Sequence, residues 1–250
     1  MTGSRRLRTW PGNKAFMLAK YRKWSTAYLR CARFQKIIGR MAERAAKMKV
    51  IDISAWQENV DWQALVDAGI EGVILKLGER SSLDEMFVEH VNHAVEHGLQ
   101  YGVYYFAHAC TYDEAVREAD QVAEWLKEYL RGETPELGIW YDAESERMLQ
   151  GDVTACCEAF INRLTDYGHQ YNGIYASWNW LSAEGAHYIH IEDLPDYTPY
   201  WVANYGTGNT FEEACPDYLK AEYPNNIIRM HQFTDKLDGF GFDASIYYDD

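Results

Sequence analysis

This 250-residue sequence has no means of building a disulfide framework: its five cysteines, Cys31, Cys110, Cys156, Cys157 and Cys215, are odd in number and two are adjacent. No Cys-x-x-Cys pair occurs, which removes a cysteine-based zinc site. No apolar run approaches the roughly 20 residues of a membrane-spanning helix. The N-terminus also lacks the charged, apolar and small-residue order of a standard signal peptide. Positive charge is scarce after Val50, where 10 Lys/Arg face 37 Asp/Glu, and so acidic a body disfavours nucleic acid as a partner. A phosphate-cradling glycine loop is missing as well, since Ser54-Ala55-Trp56-Gln57 follows the first strand candidate.

Aromatic and apolar residues are plentiful. With 47% hydrophobic residues, 9 Trp and 19 Tyr, the chain can fill a large core and still line a groove. Residues 1–50 stand apart, with 14 Lys/Arg against one acid, Glu43. Lys14 to Met48 contains no proline and only Gly39 as an interruption, so a basic, helix-prone extension is expected over 1–47 and a catalytic domain over 48–250. The extension reads three ways: an amphipathic helix contacting anionic membrane or wall polymer, a targeting arm, or upstream sequence foreign to the natural protein.

From Met48 a rhythm sets in, with a helix-like run, a glycine, a few residues, a second glycine and a β-rich run. It occurs at Gly69/Gly72, Gly98/Gly102 and Gly168/Gly173. The first glycine suits the position just past a helix end, and the second a strand passing close to its neighbour. Val116, Ala119, Ala123, Leu126 and Leu130 predict one helix face, with Thr111-Tyr112-Asp113-Glu114 as its capping box. Phe87, Val91, Ala94 and Val95 predict a second face, and Phe160, Ile161 and Leu164 a third. Strands are expected at Val50–Ser54, Gly72–Leu77, Gly102–His108, Gly138–Asp142, Gly173–Ser177, Tyr200–Ala203, Ile227–Phe233 and Phe242–Tyr247. Eight strands alternating with helices, the last three joined by loops, point to an α/β barrel that closes less regularly at its end. An open doubly wound sheet is the alternative.

Working residues of such a barrel collect at the C-terminal ends of its strands. Those ends carry Asp52, Glu79, Tyr104, Tyr105, His108, Asp142, Glu144, Tyr175, Trp201, Asn204, Gln232 and Asp243, with Lys76 as the only cation. Acids, amides and rings suit acid-catalysed cleavage of a neutral or amide-bearing sugar. In Trp140-Tyr141-Asp142-Ala143-Glu144 a strand period puts both carboxylates on one face, roughly 6–7 Å apart. Crowding raises the proton affinity of one, which supplies the acid and the anion that glycosidic cleavage needs. The competing reading is a solvated acid cluster at a helix start. His90, His93 and His97 share a helical face, and a solvated face is expected there rather than a metal site. Neither metal nor cofactor is expected.

These residues resemble the family 25 glycoside hydrolases, the Chalaropsis-type lysozymes of phage and bacterial lysins. Ile51-Asp52-Ile53-Ser54-Ala55-Trp56-Gln57 with Val60-Asp61-Trp62, then Tyr101–Ala107, then Asp142-Ala143-Glu144 follow the family's order. Gly173-Ile174-Tyr175-Ala176-Ser177, Trp201-Val202-Ala203-Asn204-Tyr205-Gly206, Gln232-Phe233-Thr234 and Asp243 complete it. The resemblance implies an irregular TIM-like barrel of eight strands and fewer helices (β5α5β3). It also implies hydrolysis of the β-1,4 bond from N-acetylmuramic acid to N-acetylglucosamine in peptidoglycan, by a monomer acting on the cell wall after secretion or phage-type release. It casts Glu144 as general acid and Asp142 as the group stabilising developing charge or positioning the substrate's acetamido group. Asp52 and Asp243 would hold the sugar and tune the pair, with Tyr105, Tyr175, Trp201, Asn204 and Gln232 binding substrate. Three departures stand out. Lys76-Leu77-Gly78-Glu79-Arg80 follows the pattern loosely, His231 replaces a tryptophan expected to wall the groove, and no wall-binding repeats follow. A chitinase-like family 18 enzyme matches only half its Asp-x-x-Asp-x-Asp-x-Glu pattern, with Leu137 and Trp140 at the first two acidic positions. A non-catalytic sugar-binding barrel is the other alternative.

Overall fold

The computed structural model describes residues 47–214 and 228–248. The helix expected within 1–47 therefore lies outside the described residues. Nine strands form one sheet: β1 (Lys47–Ile53), β2 (Gly72–Glu79), β3 (Ser82–Leu83), β4 (Gln100–Phe106), β5 (Ile139–Asp142), β6 (Asn172–Ser177), β7 (Tyr200–Ala203), β8 (Ile228–Thr234) and β9 (Asp243–Tyr248). Between them run α1 (Trp62–Asp67), α2 (Phe87–Glu96), α3 (Tyr112–Tyr129), α4 (Val153–Asp166) and α5 (Trp178–Leu181), with 3-10 turns at Glu146–Gln150 and Ile191–Asp193.

Parallel pairing runs from β1 through β2, β4, β5, β6 and β7 to β8. The antiparallel β9 then closes the ring between β8 and β1. This is the irregular eight-stranded barrel, and closure excludes the open sheet. The unexpected β3 is a two-residue hairpin partner of β2 at the rim.

The glycine rhythm has the anticipated cause, seen clearly at Gly168 and Gly173. Gly168 ends α4 at φ 96°, a left-handed turn that other residues enter at a cost. At Gly173 a Cβ would stand 2.4 Å from the Pro199 carbonyl oxygen, so only glycine lets β6 lie against the start of β7.

Two apolar layers result. Outside the strands, helix faces pack on Phe87, Leu126, Phe160, Ile161 and Leu164. On α3 the buried face is Ala115, Ala119, Val122, Trp125 and Leu126, rotated from the predicted one because Trp125 takes the sheet side, while Val116 and Ala123 are half-buried. On α2, His90 joins Phe87 and Ala94 inside and Val95 is exposed. Inside the ring, Val50, Ile74, Leu137, Trp140, Trp201, Met230 and Tyr247 form a separate plug. The barrel is filled, and polar chemistry is confined to the end above that plug.

Candidate active site

The acids rise from strands whose inward positions are set by the plug. Val50 below and Asp52 above share the inner face of β1, Trp140 and Asp142 that of β5, and Met230 and Gln232 that of β8. Asp243 opens β9 directly opposite Asp52 in the ladder. Gln232 joins these strands with one amide. Its Nε2 donates to Asp52 Oδ2 at 2.9 Å and to Asp243 Oδ2 at 3.5 Å. Its Oε1 accepts from the Tyr175 hydroxyl at 2.8 Å and the Tyr205 hydroxyl at 2.7 Å.

Asp142 ends β5. The sheet continues one residue further, with Ala143 N–H donating to Tyr175 O at 3.0 Å. Burial also keeps alternating through Ser145, so Asp142 and Glu144 share a side as the spacing predicts. Glu144 Oε1 accepts the Ser177 backbone N–H at 2.8 Å, just before α5. Asp142 Oδ1 is buried and has no hydrogen-bond partner among the described residues. Burial, reinforced by Glu144 and Asp52, pushes the Asp142 carboxyl well above the ordinary range, against the opposing charge of Lys76. Burial and Asp243 do the same to Asp52, with the Gln232 hydrogen bond opposing. Two carboxyls side by side at one mouth, differently anchored, supply the proton donor and the anion that a glycosidase divides between them.

The loop after Glu144 is clamped. Ser145 caps the 3-10 turn through Arg147 N–H at 3.3 Å, and its Oγ lies 3.3 Å from His108 Nδ1. Arg147 grips both oxygens of Glu114 at 3.1 Å and reaches the His108 carbonyl. That guanidinium, with the Cys110 N–H, holds the Glu114 carboxyl down at about 2. Thr111 caps α3 as the capping box predicts, but Glu114 turns to Cys110 N–H and Arg147 rather than back to the cap. The other ring nitrogen of His108, Nε2, lies 3.2 Å from Glu79 Oε2, which Lys76 approaches at 3.6 Å. A register shift between Lys76 and Gly78 breaks the β2 alternation there.

Several expected site residues are not brought together. Tyr105 faces the helices: it is fully buried, stacked beside Tyr141 and Phe160, and its hydroxyl donates to the Arg80 carbonyl. Its neighbour Tyr104 takes the inner face, where burial and the charges of Asp52 and Asp142 raise its phenol. Trp201, only 1% exposed, is part of the plug; it supports Tyr175 at 4.3 Å and donates to Ser245 Oγ at 3.0 Å. Asn204 contributes its backbone, donating to Gln232 O at 3.0 Å and accepting from His231 Nε2 at 2.9 Å. His231 is fully buried on the side opposite Gln232, so it does not wall the groove. Sequence reasoning places Tyr104 at a strand end and Tyr205 in a family motif without giving either a role, and it misses the Ser177 N–H. The 3.6 Å Lys76 contact keeps Glu79 at the rim. His90, His93 and His97 gather around Trp62, with His90 buried and bonded to Gln57 O at 3.2 Å, so this is not a uniformly solvated face.

A stability cost follows from crowding these acids. Burial and Asp235 raise the Asp243 carboxyl to about 6. The folded state then binds more protons than the unfolded chain between about pH 4 and 6, so stability falls as pH rises through that window. Asp243→Asn should raise the melting temperature at pH 7 by the equivalent of about 1–2 kcal/mol, after discounting for partial exposure. The gain should vanish below about pH 4. Equal melting temperatures at both pH values would refute the argument.

The glycosyl hydrolases family 25 model matches residues 51–241. No curated protein sequence matches the chain. Among solved structures, the modular autolysin LytC from Streptococcus pneumoniae, solved with a synthetic peptidoglycan ligand, superposes at TM-score 0.63 and 22% identity over 81% of this chain and 47% of that one. The catalytic domain of the endolysin ply40 from a Listeria monocytogenes bacteriophage gives 0.62 and 19% over 81% and 93%. A muramidase from Trichobolus zukalii gives 0.60 and 20% over 81% and 94%. This chain thus spans about half the length of the pneumococcal autolysin. A family match over most of the barrel, on the same strands that carry Asp52, Asp142 and Gln232, establishes that the chain belongs to family 25 of the glycosyl hydrolases.

Proposed function

We propose that this glycoside hydrolase is a lysozyme. It would cleave the β-1,4 bond between N-acetylmuramic acid and N-acetylglucosamine in peptidoglycan, with Glu144 as general acid. The observation that carries the reading is the unequal carboxylate pair at the barrel mouth. Glu144 is anchored through one oxygen by Ser177 N–H. Asp142 lies beside it with one buried oxygen, Oδ1, that has no hydrogen-bond partner among the described residues. Glu144 protonates the leaving oxygen while Asp142 stabilises the positive charge on the ring or orients the acetamido group. Asp52, Asp243, Tyr175 and Gln232 hold the sugar above the plug. The similar structures, an autolysin solved with a peptidoglycan ligand, an endolysin and a muramidase, favour this substrate over chitin. Action is on the cell wall, by a monomer. The basic segment 1–47 adds attraction to anionic wall polymer or membrane.

Digesting purified peptidoglycan and identifying the new ends tests the reading. Reducing muramic acid ends are expected. Reducing glucosamine ends or freed peptides would sink it.

Trp56 marks the sugar path at the rim. It is 89% exposed, yet its turn is rigid: Ala55 N–H is held by Asp84 at 3.1 Å and Ser54 N–H by Gln57 at 2.9 Å. An exposed ring on a fixed turn is a stacking platform for a pyranose face. Trp56→Ala should lower kcat/KM about 5–30-fold, the equivalent of about 1–2 kcal/mol of lost contact, through KM with kcat unchanged. An unchanged KM would remove Trp56 from the path.

A further inference from the structure

Away from the acids, the segment joining β6 to β7 gathers two imidazoles around one carboxylate. His187 Nε2 lies 3.7 Å from Glu192 Oε2, and His190 Nδ1 lies 3.6 Å from Glu192 Oε1. The two rings are 4.4 Å apart, and one donor atom from each of the three residues falls within 4.8 Å of the others. These separations exceed a hydrogen bond, whereas ligand atoms on a tetrahedral zinc ion stand roughly 3.3–3.5 Å apart. Closing the triad on an ion takes side-chain movements of about 1 Å.

The backbone presents this group in a fixed form. His187 has φ 53°, a left-handed conformation that costs a non-glycine residue energy and persists where the surroundings impose it. Its N–H and that of Ala186 both donate to Asn179 O, at 3.2 and 2.8 Å. Ile189 is fully buried, and His190 N–H is tied to Thr154 Oγ1 on α4 at 2.9 Å. His187 and His190 border a cavity of about 590 Å³ whose wall also carries Asp152, Glu158 and Asp193. Three further carboxylates on the cavity wall make the surroundings negative, which favours a cation.

We propose that His187, His190 and Glu192 bind a zinc ion, with at least one coordination position left to water. Two neutral imidazoles and one carboxylate are borderline donors suited to zinc rather than to calcium or magnesium, which take oxygen ligands. The site is remote from the carboxylate pair in role, but not in chain. The same segment begins at Ser177, whose N–H holds Glu144. An ion there stiffens the stretch that follows that anchor. A second cluster, His93, Glu96 and His97, is a weaker candidate. There His97 Nδ1 is committed to His93 O at 2.8 Å, and both rings stack on Trp62.

The test is a calorimetric titration of the chelator-stripped full chain with zinc chloride. One saturable site is expected. Affinity should fall on the order of 100-fold in His187→Ala/His190→Ala and at least about 10-fold in Glu192→Gln. Zinc should raise the melting temperature of the parent and leave that of the double variant unmoved. Far-ultraviolet circular dichroism of the metal-free proteins checks that each variant is folded. His93→Ala/His97→Ala should keep the site. Absence of saturable binding, or binding that survives in His187→Ala/His190→Ala and is lost in His93→Ala/His97→Ala, would overturn the assignment.

Discussion

Glu144→Gln should lose about 10²–10⁴-fold in kcat on purified cell walls while the fold and KM stay close to the parent, the range typical of removing a general acid. The substitution is conservative where it matters structurally. The amide oxygen of glutamine can still accept the Ser177 N–H that Glu144 Oε1 accepts at 2.8 Å. The clamp that follows, from Ser145 through Arg147 to Glu114, does not involve Glu144 at all. In the proposed mechanism, what disappears is the proton for the leaving oxygen. Rates on wall suspensions, with circular dichroism of both proteins, provide the check. Near-parental lysis by a folded Glu144→Gln protein would transfer the acid role elsewhere or dismiss it.

Asp142→Asn should be almost as damaging, at about 10²–10³-fold in kcat, and its pH profile should distinguish it from Glu144→Gln. An uncharged amide cannot stabilise the positive charge on the sugar ring. Burial and the neighbouring acids raise the Asp142 carboxyl, so in the parent its ionisation shapes the acid side of the profile. The sign is fixed: below its raised value Asp142 is protonated and activity falls. That limb should flatten in Asp142→Asn, which has nothing to ionise. A variant that retains the parental acid limb would show that another carboxyl, Asp52 or Asp243, governs it.

Much of this arrangement was legible from residue order. The paired glycines mark where helices stop and strands crowd, and Asp52, Asp142, Gln232 and Asp243 lie on strands around one mouth, as their order suggests. The errors share a physical origin. Tyr101-Gly102-Val103-Tyr104-Tyr105-Phe106 belongs to a strand buried on both faces, where aromatic residues satisfy either side and period-two reading loses its phase. Residue order therefore does not decide between Tyr104 and Tyr105, and the structure turns Tyr104 inward. His231 is tied to the groove only through the family pattern, and it is buried because its neighbour Gln232 takes the inner face. Gly78 hid the register shift that lifts Glu79 to the rim. The Ser177 N–H that anchors Glu144 is a backbone group, invisible to any reading of side-chain types.

The pairing of β1 with β9 has one more consequence. The ladder that sets Asp52 opposite Asp243 also sets Lys47 opposite Tyr248, five residues further down both strands. At about 3.3 Å per residue that is roughly 16 Å below the acids, on the far side of the tryptophan plug. Lys47 and Tyr248 thus lie side by side at the underside of the barrel, so a label attached to the Lys47 side chain starts at the end away from the acids.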